Sequence, residues 1–472
     1  MSYNLFNSKV KVTSFFIFIS MGFFQLLIYA NLYYLGDLRD RIIFFLGNYV
    51  LLFIGYLLAI YFFKRSLSEF SPLKFFTVLF IFSISFRITM IFSMGYLSTD
   101  ILRYFWDGML SINGVDPYKY VPSSYELEKF RTMSYYESYD HKDEFTIYPP
   151  LAQFFFLGSH LIFGDNPIGL KSLLSIFDTS NGILIFLIIR KMKGDNFQSN
   201  LGALIYLWNP LVIIEFAHSG HIDALAIFLL LLCIYSLSRT LRISSSTSLV
   251  ASIFTKWIPI LFLPIYMKYM WRQKKGFIKA LLSIIVASLV IILPFYFSSG
   301  FNFILTTFNF IRNWRFESAL SRFLILILPF EGILESFISK FVSYSIFIIS
   351  IIVLTYKSRF SNITEIINTF LLLIALFYLI APSTYPWYVP WILTMAILKR
   401  SGFITSSSIF LSGLAVVNYL QEFSTLSELQ FWFAYIVWFI PVFAILAYYL
   451  YQSKGYQSLL KRFNSGPINA NT

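Results

Sequence analysis

The chain has 472 residues, of which 58% are hydrophobic, 21% aromatic and only 12% charged, with 36 Lys and Arg against 23 Asp and Glu. A soluble domain averages about 25% charged residues, and here apolar runs near the ~20 residues that span a hydrocarbon core recur from end to end. Composition therefore excludes a soluble enzyme and points to a polytopic membrane protein, all-α, with residues 1–472 read as a single integral unit. The net charge of +13 is not a nucleic-acid signal. It is spread as short clusters at the ends of apolar runs, such as Arg190/Lys191/Lys193, Arg272/Lys274/Lys275 and Lys399/Arg400, as the positive-inside rule expects. The lone Cys233 leaves no intrachain disulfide or cysteine metal cluster to be made.

In chain order, residues 12–35 follow Lys9 and Lys11 and read as an uncleaved first helix, since the run is long and lacks a small-x-small cleavage site. Helices at 42–63 and 74–97 bring the chain to a polar loop over 98–147, on the outer side if the basic clusters face the cytoplasm. The segment 148–163 is short and starts with Pro149-Pro150, so it is expected to lie along the interface rather than cross. Crossings are predicted at 168–190, 200–217 and 222–238. The run 247–271 has basic clusters at both ends and so needs an even number of crossings. It reads as a hairpin of two short helices with Lys256-Trp257 at its turn. A helix at 277–297 leads to a second outer loop, Phe301–Arg322, then a half-inserted segment near 323–337. Helices at 340–356, 364–381, 386–398, 403–420 and 431–451 close the chain, for 11–14 membrane helices in all.

The polar loop concentrates chemistry. Nine of the 23 carboxylates and five basic residues fall between Thr99 and Leu151, so this stretch is acidic inside a basic protein. Asp100 stands where an apolar segment meets water, and helical spacing puts Asp100, Arg103 and Asp107 on one face beside Tyr104. A carboxylate so placed suits proton abstraction from a hydroxyl, although a helix-end aspartate is more often a solvated cap. Arg87, inside an apolar run, is expected to pair with Asp178 or Glu215 or to approach a phosphate. In NPLVIIEFAHSGHID, the pair His218 and His221 with Glu215 and Asp223 reads as a hydrogen-bonding cluster rather than a metal site. Lys256, with Arg312 and Arg315, can snorkel or anchor at the interface, or neutralise a phosphate. Tyr385-Pro386-Trp387-Tyr388 reads as an aromatic anchor that is compatible with a sugar platform. No Gly-rich phosphate loop and no GxSxG motif occurs, so an activated substrate would be lipid-borne.

TDILRYFWDGMLSINGVDPYKYVP followed by IYPPLAQFFF resembles the signature of GT-C integral-membrane glycosyltransferases that use polyprenyl-phosphate sugars. The similarity is greatest to the bacterial polyprenol-phosphomannose-dependent α-mannosyltransferases, and NPLVIIEFAHSGHIDALA, Lys256-Trp257, NWRFESAL and PSTYPWYVPW follow in the expected order over roughly residues 70–400. The resemblance implies a GT-C helical bundle with interfacial helices in its large outer loop. It also implies an inverting transfer of a hexose, here mannose, to a hydroxyl of a lipid-linked or cell-envelope glycan on the extracytoplasmic face of a bacterial plasma membrane. It assigns Asp100 as base, Tyr148, Pro149 and Pro150 as the floor, His221 and Asp223 as lining, and Lys256 as phosphate ligand. Arg103, Tyr104, Asp107, Arg312, Arg315 and Tyr385 complete the substrate-binding candidates. Thr99 stands where relatives often carry a second acid, which disfavours a divalent metal, and no soluble cofactor is expected. The partners implied are the lipid-phosphate sugar, the glycan acceptor and membrane lipids. A transporter or flippase for a lipid-linked saccharide is the rival class, disfavoured because no internal repeat is visible.

Overall fold

The computed structural model describes residues 2–66, 72–93, 95, 97–274, 276–313, 333–380, 385–423 and 428–452. Among these residues there is no strand, and the chain is a bundle of helices. Seven helices are long and apolar enough to cross a membrane: residues 13–35 of α1 (Ser2–Leu35), α2 (Ile42–Arg65), α3 (Pro72–Ile91), α6 (Pro167–Lys191), α12 (Phe277–Ser299), α15 (Ile363–Ile380) and residues 402–420. An eighth span forms if α7 (Asn196–Leu207) and the following segment Pro210–His218 count as one, bent by 52°. The protein is an integral membrane protein. Other runs expected to cross form shorter helices, such as α9 (Asp223–Ser238, 16 residues) and α16 (Val389–Lys399, 11 residues). The sequence count of 11–14 thus includes helices below the ~20 residues that span a bilayer unaided.

The break in the bent span follows from its sequence. Pro210 cannot donate a backbone hydrogen bond, and Asn209 before it is extended, so α7 stops and α8 (Pro210–Ile213) restarts. The Asn209 side chain accepts from the amides of Leu211 and Val212 at 3.0 and 3.3 Å, and donates to Ser412 Oγ at 2.8 Å. The freed Leu207 carbonyl accepts from Arg87 Nη1 at 2.9 Å, while Arg87 Nε pairs with Asp178 at 2.7 Å. The buried arginine of α3 therefore has the Asp178 partner expected for it. It ties α3, α6 and the broken helix together, with no free charge facing lipid.

Beyond α8 the chain makes a π turn, Ile214–His218, and then reverses at Gly220, whose φ of +76° suits glycine. The broken helix consequently dead-ends inside the protein, and α9 starts at Asp223. The expected hairpin also forms. α10 (Arg242–Thr255) and α11 (Leu263–Arg272) are joined through Lys256 and Trp257, and their far ends meet where Arg242 Nη1 lies 3.7 Å from Met270 Sδ. At that same end Arg400 bonds Gln198 and the Met192 carbonyl, so basic clusters far apart in sequence are neighbours.

The polar loop opens with α4 (Asp100–Ile112) and returns through α5 (Pro150–Phe163), whose 14 residues fit the expected non-crossing segment. The two helices pack so closely that a Cβ on Gly108 would meet the Phe156 carbonyl oxygen at 2.7 Å. Asp107 is fully buried and holds the loop. It accepts from Arg103 Nε at 2.8 Å, Thr146 Oγ1 at 2.6 Å and Gln153 Nε2 at 3.0 Å. Arg103 in turn donates to the Tyr139 hydroxyl and the Glu144 carbonyl at 2.6 and 3.0 Å. The expected second outer loop differs, because its first part is a helix, α13 (Asn302–Asn313). That stretch lacks Gly and Pro and turns Phe303 inward while Leu305 and Phe308 stay exposed, an amphipathic pattern that lies along an interface. The 323–337 segment lies mostly outside the described residues, and α14 (Ile333–Lys357) is already helical at its end.

Removing one partner of a buried ion pair strands the other, at a cost of about 3–5 kcal/mol. Asp107→Ala is expected to lower the thermal stability of the purified protein and to open residues 113–149 to protease. An unchanged melting temperature and digestion pattern would contradict this role.

Candidate active site

At the end of the bundle opposite the clustered bases lies a cavity of about 460 Å³. The sequence elements that reach it are the start of α4, the Tyr148-Pro149 turn, the α10–α11 tip, and the segment Tyr385–Tyr388 ahead of α16. One side is polar, with Thr99, Asp100, Arg103, Asp140 and Glu144. The other side is apolar, with Ile260, Leu261, Phe347, Phe377 and Ile380. Lys256 lines the same cavity.

Asp100 is the first residue of α4, and the Thr99 side chain makes no cap bond, donating instead to Asp140 at 3.0 Å. The Asp100 side chain is 29% exposed, and its Oδ2 lies 3.5 Å from His221 Nδ1. His221 is fully buried, with its Nε2 3.4 Å from Glu215 Oε2. Both Glu215 oxygens accept from the Tyr419 hydroxyl, at 2.9 and 3.0 Å. The His221 ring is stacked on Trp387 at 3.9 Å, and Trp387 on Tyr385 at 4.3 Å. Burial raises the Asp100 pKa, but the hydrogen bond and charge of His221, then the charge of Lys256, outweigh it and leave the carboxyl below its ordinary value. Burial pushes Asp107 the other way, above the ordinary range against the pull of Arg103.

Lys256 ends α10 in an extended conformation, which turns its side chain out of the helix and toward the cavity. Its Nζ pairs with Asp223 Oδ2 at 3.1 Å and sits 5.5 Å from the ring centres of Tyr148 and Tyr388. Asp223 is held from behind by Trp391 Nε1 at 2.9 Å. Trp257 Nε1 donates to Thr307 Oγ1 at 3.0 Å and fastens the hairpin tip to α13. The arrangement sets an ionised carboxylate and a lysine on one cavity, with buried His221 behind the first and buried Asp223 behind the second.

Of the candidates, Asp100, Arg103, Tyr148, Pro149, Lys256 and Tyr385 line the cavity. His221 and Asp223, expected as lining, stand one layer behind it and act on Asp100 and Lys256. Pro150, Tyr104 and Asp107 are likewise buried, Tyr104 stacked on Phe156 at 4.4 Å and Asp107 in the loop anchor. The sequence placed the latter two on the face of Asp100, but helical periodicity does not say which side of that face opens. The Arg312 side chain and all of Arg315 lie outside the described residues. Sequence reasoning gave Glu215 no place beside Asp100 and passed over Tyr419. An acid in an apolar run was the available signal for Glu215, whereas a tyrosine there carries none. Among the described residues no three His, Cys, Asp or Glu side chains gather as a metal site.

Residues 42–272 match the model of the MptA_B family, described as alpha-(1->6)-mannopyranosyltransferase, N-terminal domain. No curated protein matches the chain.

An aspartate with a lowered pKa stays ionised above that pKa and is lost as a base only when pH falls through it. The acid limb of the pH–rate profile for transfer is therefore expected below the ordinary aspartate value of about 3.9. A limb near pH 6 would exclude Asp100, in this environment, as the titrating base.

Proposed function

We propose that the protein transfers mannose from a polyprenyl-phosphate donor to a hydroxyl of a lipid-linked or cell-envelope glycan. The reaction would take place on the extracytoplasmic face of a bacterial plasma membrane. The observation that carries the reading is the shared cavity of Asp100 and Lys256, polar on one side and apolar on the other. A polyprenyl chain fits the wall of Ile260, Leu261, Phe347, Phe377 and Ile380, and a glycan fits the side of Thr99, Asp140 and Glu144.

In this reading Asp100 accepts the proton of the acceptor hydroxyl as its oxygen attacks the anomeric carbon. The bond from that carbon to the phosphate oxygen breaks, and polyprenyl phosphate leaves with the electron pair. Attack opposite the leaving group inverts the anomeric centre. Lys256 neutralises the charge that develops on the phosphate, with Arg312 or Arg315 as a second cation. Asp223 holds the lysine in place before the donor arrives. Tyr385, stacked on buried Trp387, offers its other face to a sugar ring. The basic clusters at the opposite end of the bundle support a cytoplasmic placement of that end.

General-base catalysis contributes about 10²–10⁴-fold, so Asp100→Asn is expected to lose at least 100-fold in kcat for transfer from polyprenyl-phosphate-mannose by purified protein in lipid. A wild-type rate in the amide variant would remove Asp100 from the mechanism. Movement of a lipid-linked saccharide across the bilayer, with no transfer, would replace the enzyme reading by a flippase. Lys256 and the arginines supply the charge a metal would otherwise bring, so transfer is expected to persist after dialysis against EDTA. Activity abolished by EDTA and restored by a divalent cation would overturn that part.

A further inference from the structure

Glu215 is fully buried on the π turn and does not reach the cavity. The ion pair of Arg87 uses Asp178, so Glu215 is not needed there. A carboxylate so deep in an apolar protein is unfavourable unless its interactions offset the lost hydration. Its neighbours are specific. Tyr419 reaches both its oxygens, the phenols of Tyr49 and Tyr378 lie in its field, and His221 Nε2 is 3.4 Å away. The His221 ring is fixed in plane by Trp387 and in place by the turn at Gly220, where the His221 amide donates to the Glu215 carbonyl at 3.1 Å. Each ring nitrogen therefore faces a different carboxylate, one in the cavity wall and one buried.

We propose that Glu215 is a positioning residue for sugar transfer, holding the His221 imidazole so that its Nδ1–H aims the Asp100 carboxylate at the acceptor hydroxyl. The inference rests on the reading of Asp100 as base. With Nε2–H donated to Glu215, the ring cannot rotate to bring another atom to Asp100. With Asp100 Oδ2 engaged by Nδ1–H, Oδ1 is left to take the acceptor proton. The ring between the two carboxylates ties the cavity acid to the buried one, as a buried acid orients the histidine of a hydrolytic triad. Glu215 does not line the cavity, and the influence proposed for it passes through His221.

The test is a double-mutant cycle on kcat and KM, with polyprenyl-phosphate-mannose as donor and octyl mannoside as acceptor probe. Glu215→Gln keeps the volume but puts an amide where His221 and Tyr419 need an acceptor. Removing such a supporting partner typically costs roughly 10–100-fold in activity, and that loss is expected in kcat, with the donor KM within about twofold of wild type. His221→Gln is expected to lose at least as much, and the double variant no more than His221→Gln alone, because residues acting as one unit are non-additive. A wild-type kcat for Glu215→Gln, or losses that multiply in the double variant, would overturn the proposal. Where Glu215→Gln fails to fold, Tyr419→Phe keeps the carboxylate and removes its donor. Its smaller loss in kcat is expected to vanish in the His221→Gln background, and a loss that persists there would also overturn it. Asp100→Asn runs alongside. If it transfers at the wild-type rate, or the wild-type protein transfers nothing, the base reading falls and the inference with it. If Asp100→Asn is inactive while Glu215→Gln is normal, the inference alone fails.

Discussion

An apolar surrounding leaves no water to satisfy a broken helix, so every backbone group freed at a break must find a protein partner. The break at Asn209-Pro210 meets this demand at each point. Asn209 caps the restart, Arg87 takes the Leu207 carbonyl, and the Tyr56 hydroxyl donates to the Ile205 carbonyl at 2.7 Å. Because these partners come from α2, α3 and residues 402–414, the break is stapled to three neighbours and cannot straighten. The chain beyond it is forced to end in the interior, and there it delivers Glu215, His218, His221 and Asp223 within nine residues. An uninterrupted helix would have carried some of these groups into lipid.

The electrostatics of the cavity follow the same economy. Five charged or chargeable groups are arranged by alternating sign: Glu215, His221 and Asp100 in one line, Lys256 and Asp223 in another. In a low-dielectric surrounding, an unpaired charge would shift its pKa until it became neutral. Asp100 and Lys256 instead each have a buried titratable partner one layer deeper, His221 and Asp223. Asp100 is consequently held below its ordinary pKa although burial alone would raise it. Asp107, two turns along the same helix, is buried against Arg103 and moves upward. Two carboxylates on one face of α4 thus have different work, one at a cavity and one anchoring a loop.

Much of this was legible in the sequence, for stated reasons. Apolar runs, basic clusters and the Pro149-Pro150 start of α5 marked the helices, and the paired clusters around 247–271 demanded a hairpin with Lys256-Trp257 at its tip. Arg87 announced a buried partner, and Asp178 is that partner. Depth was not legible. Periodicity put Asp100, Arg103 and Asp107 on one face, but Thr146 and Gln153, which decide that Asp107 faces inward, come from 39 and 46 residues away. His221 and Asp223 were recognised as part of the site but placed at its surface, because nothing in a linear motif tells a lining residue from its support. Tyr419 was out of reach altogether, since one more tyrosine in an aromatic-rich membrane chain has no local signature.

The matched family segment and the cavity divide the chain in an informative way. Asp100, Tyr148, Glu215, His221, Asp223 and Lys256 all fall within residues 42–272. The apolar wall of Phe347, Phe377 and Ile380, and the aromatic segment Tyr385–Tyr388, come from beyond it. The line of alternating charge can form within the matched part, and the remaining helices close the cavity over it. Trp387 joins the two parts, because it comes from the closing segment yet stacks on the one histidine that links both carboxylates. A ligand pressed against Tyr385 would therefore bear, through Trp387, on the ring beside Asp100. On the proposed reading, occupation of the sugar platform and alignment of the base are mechanically one event.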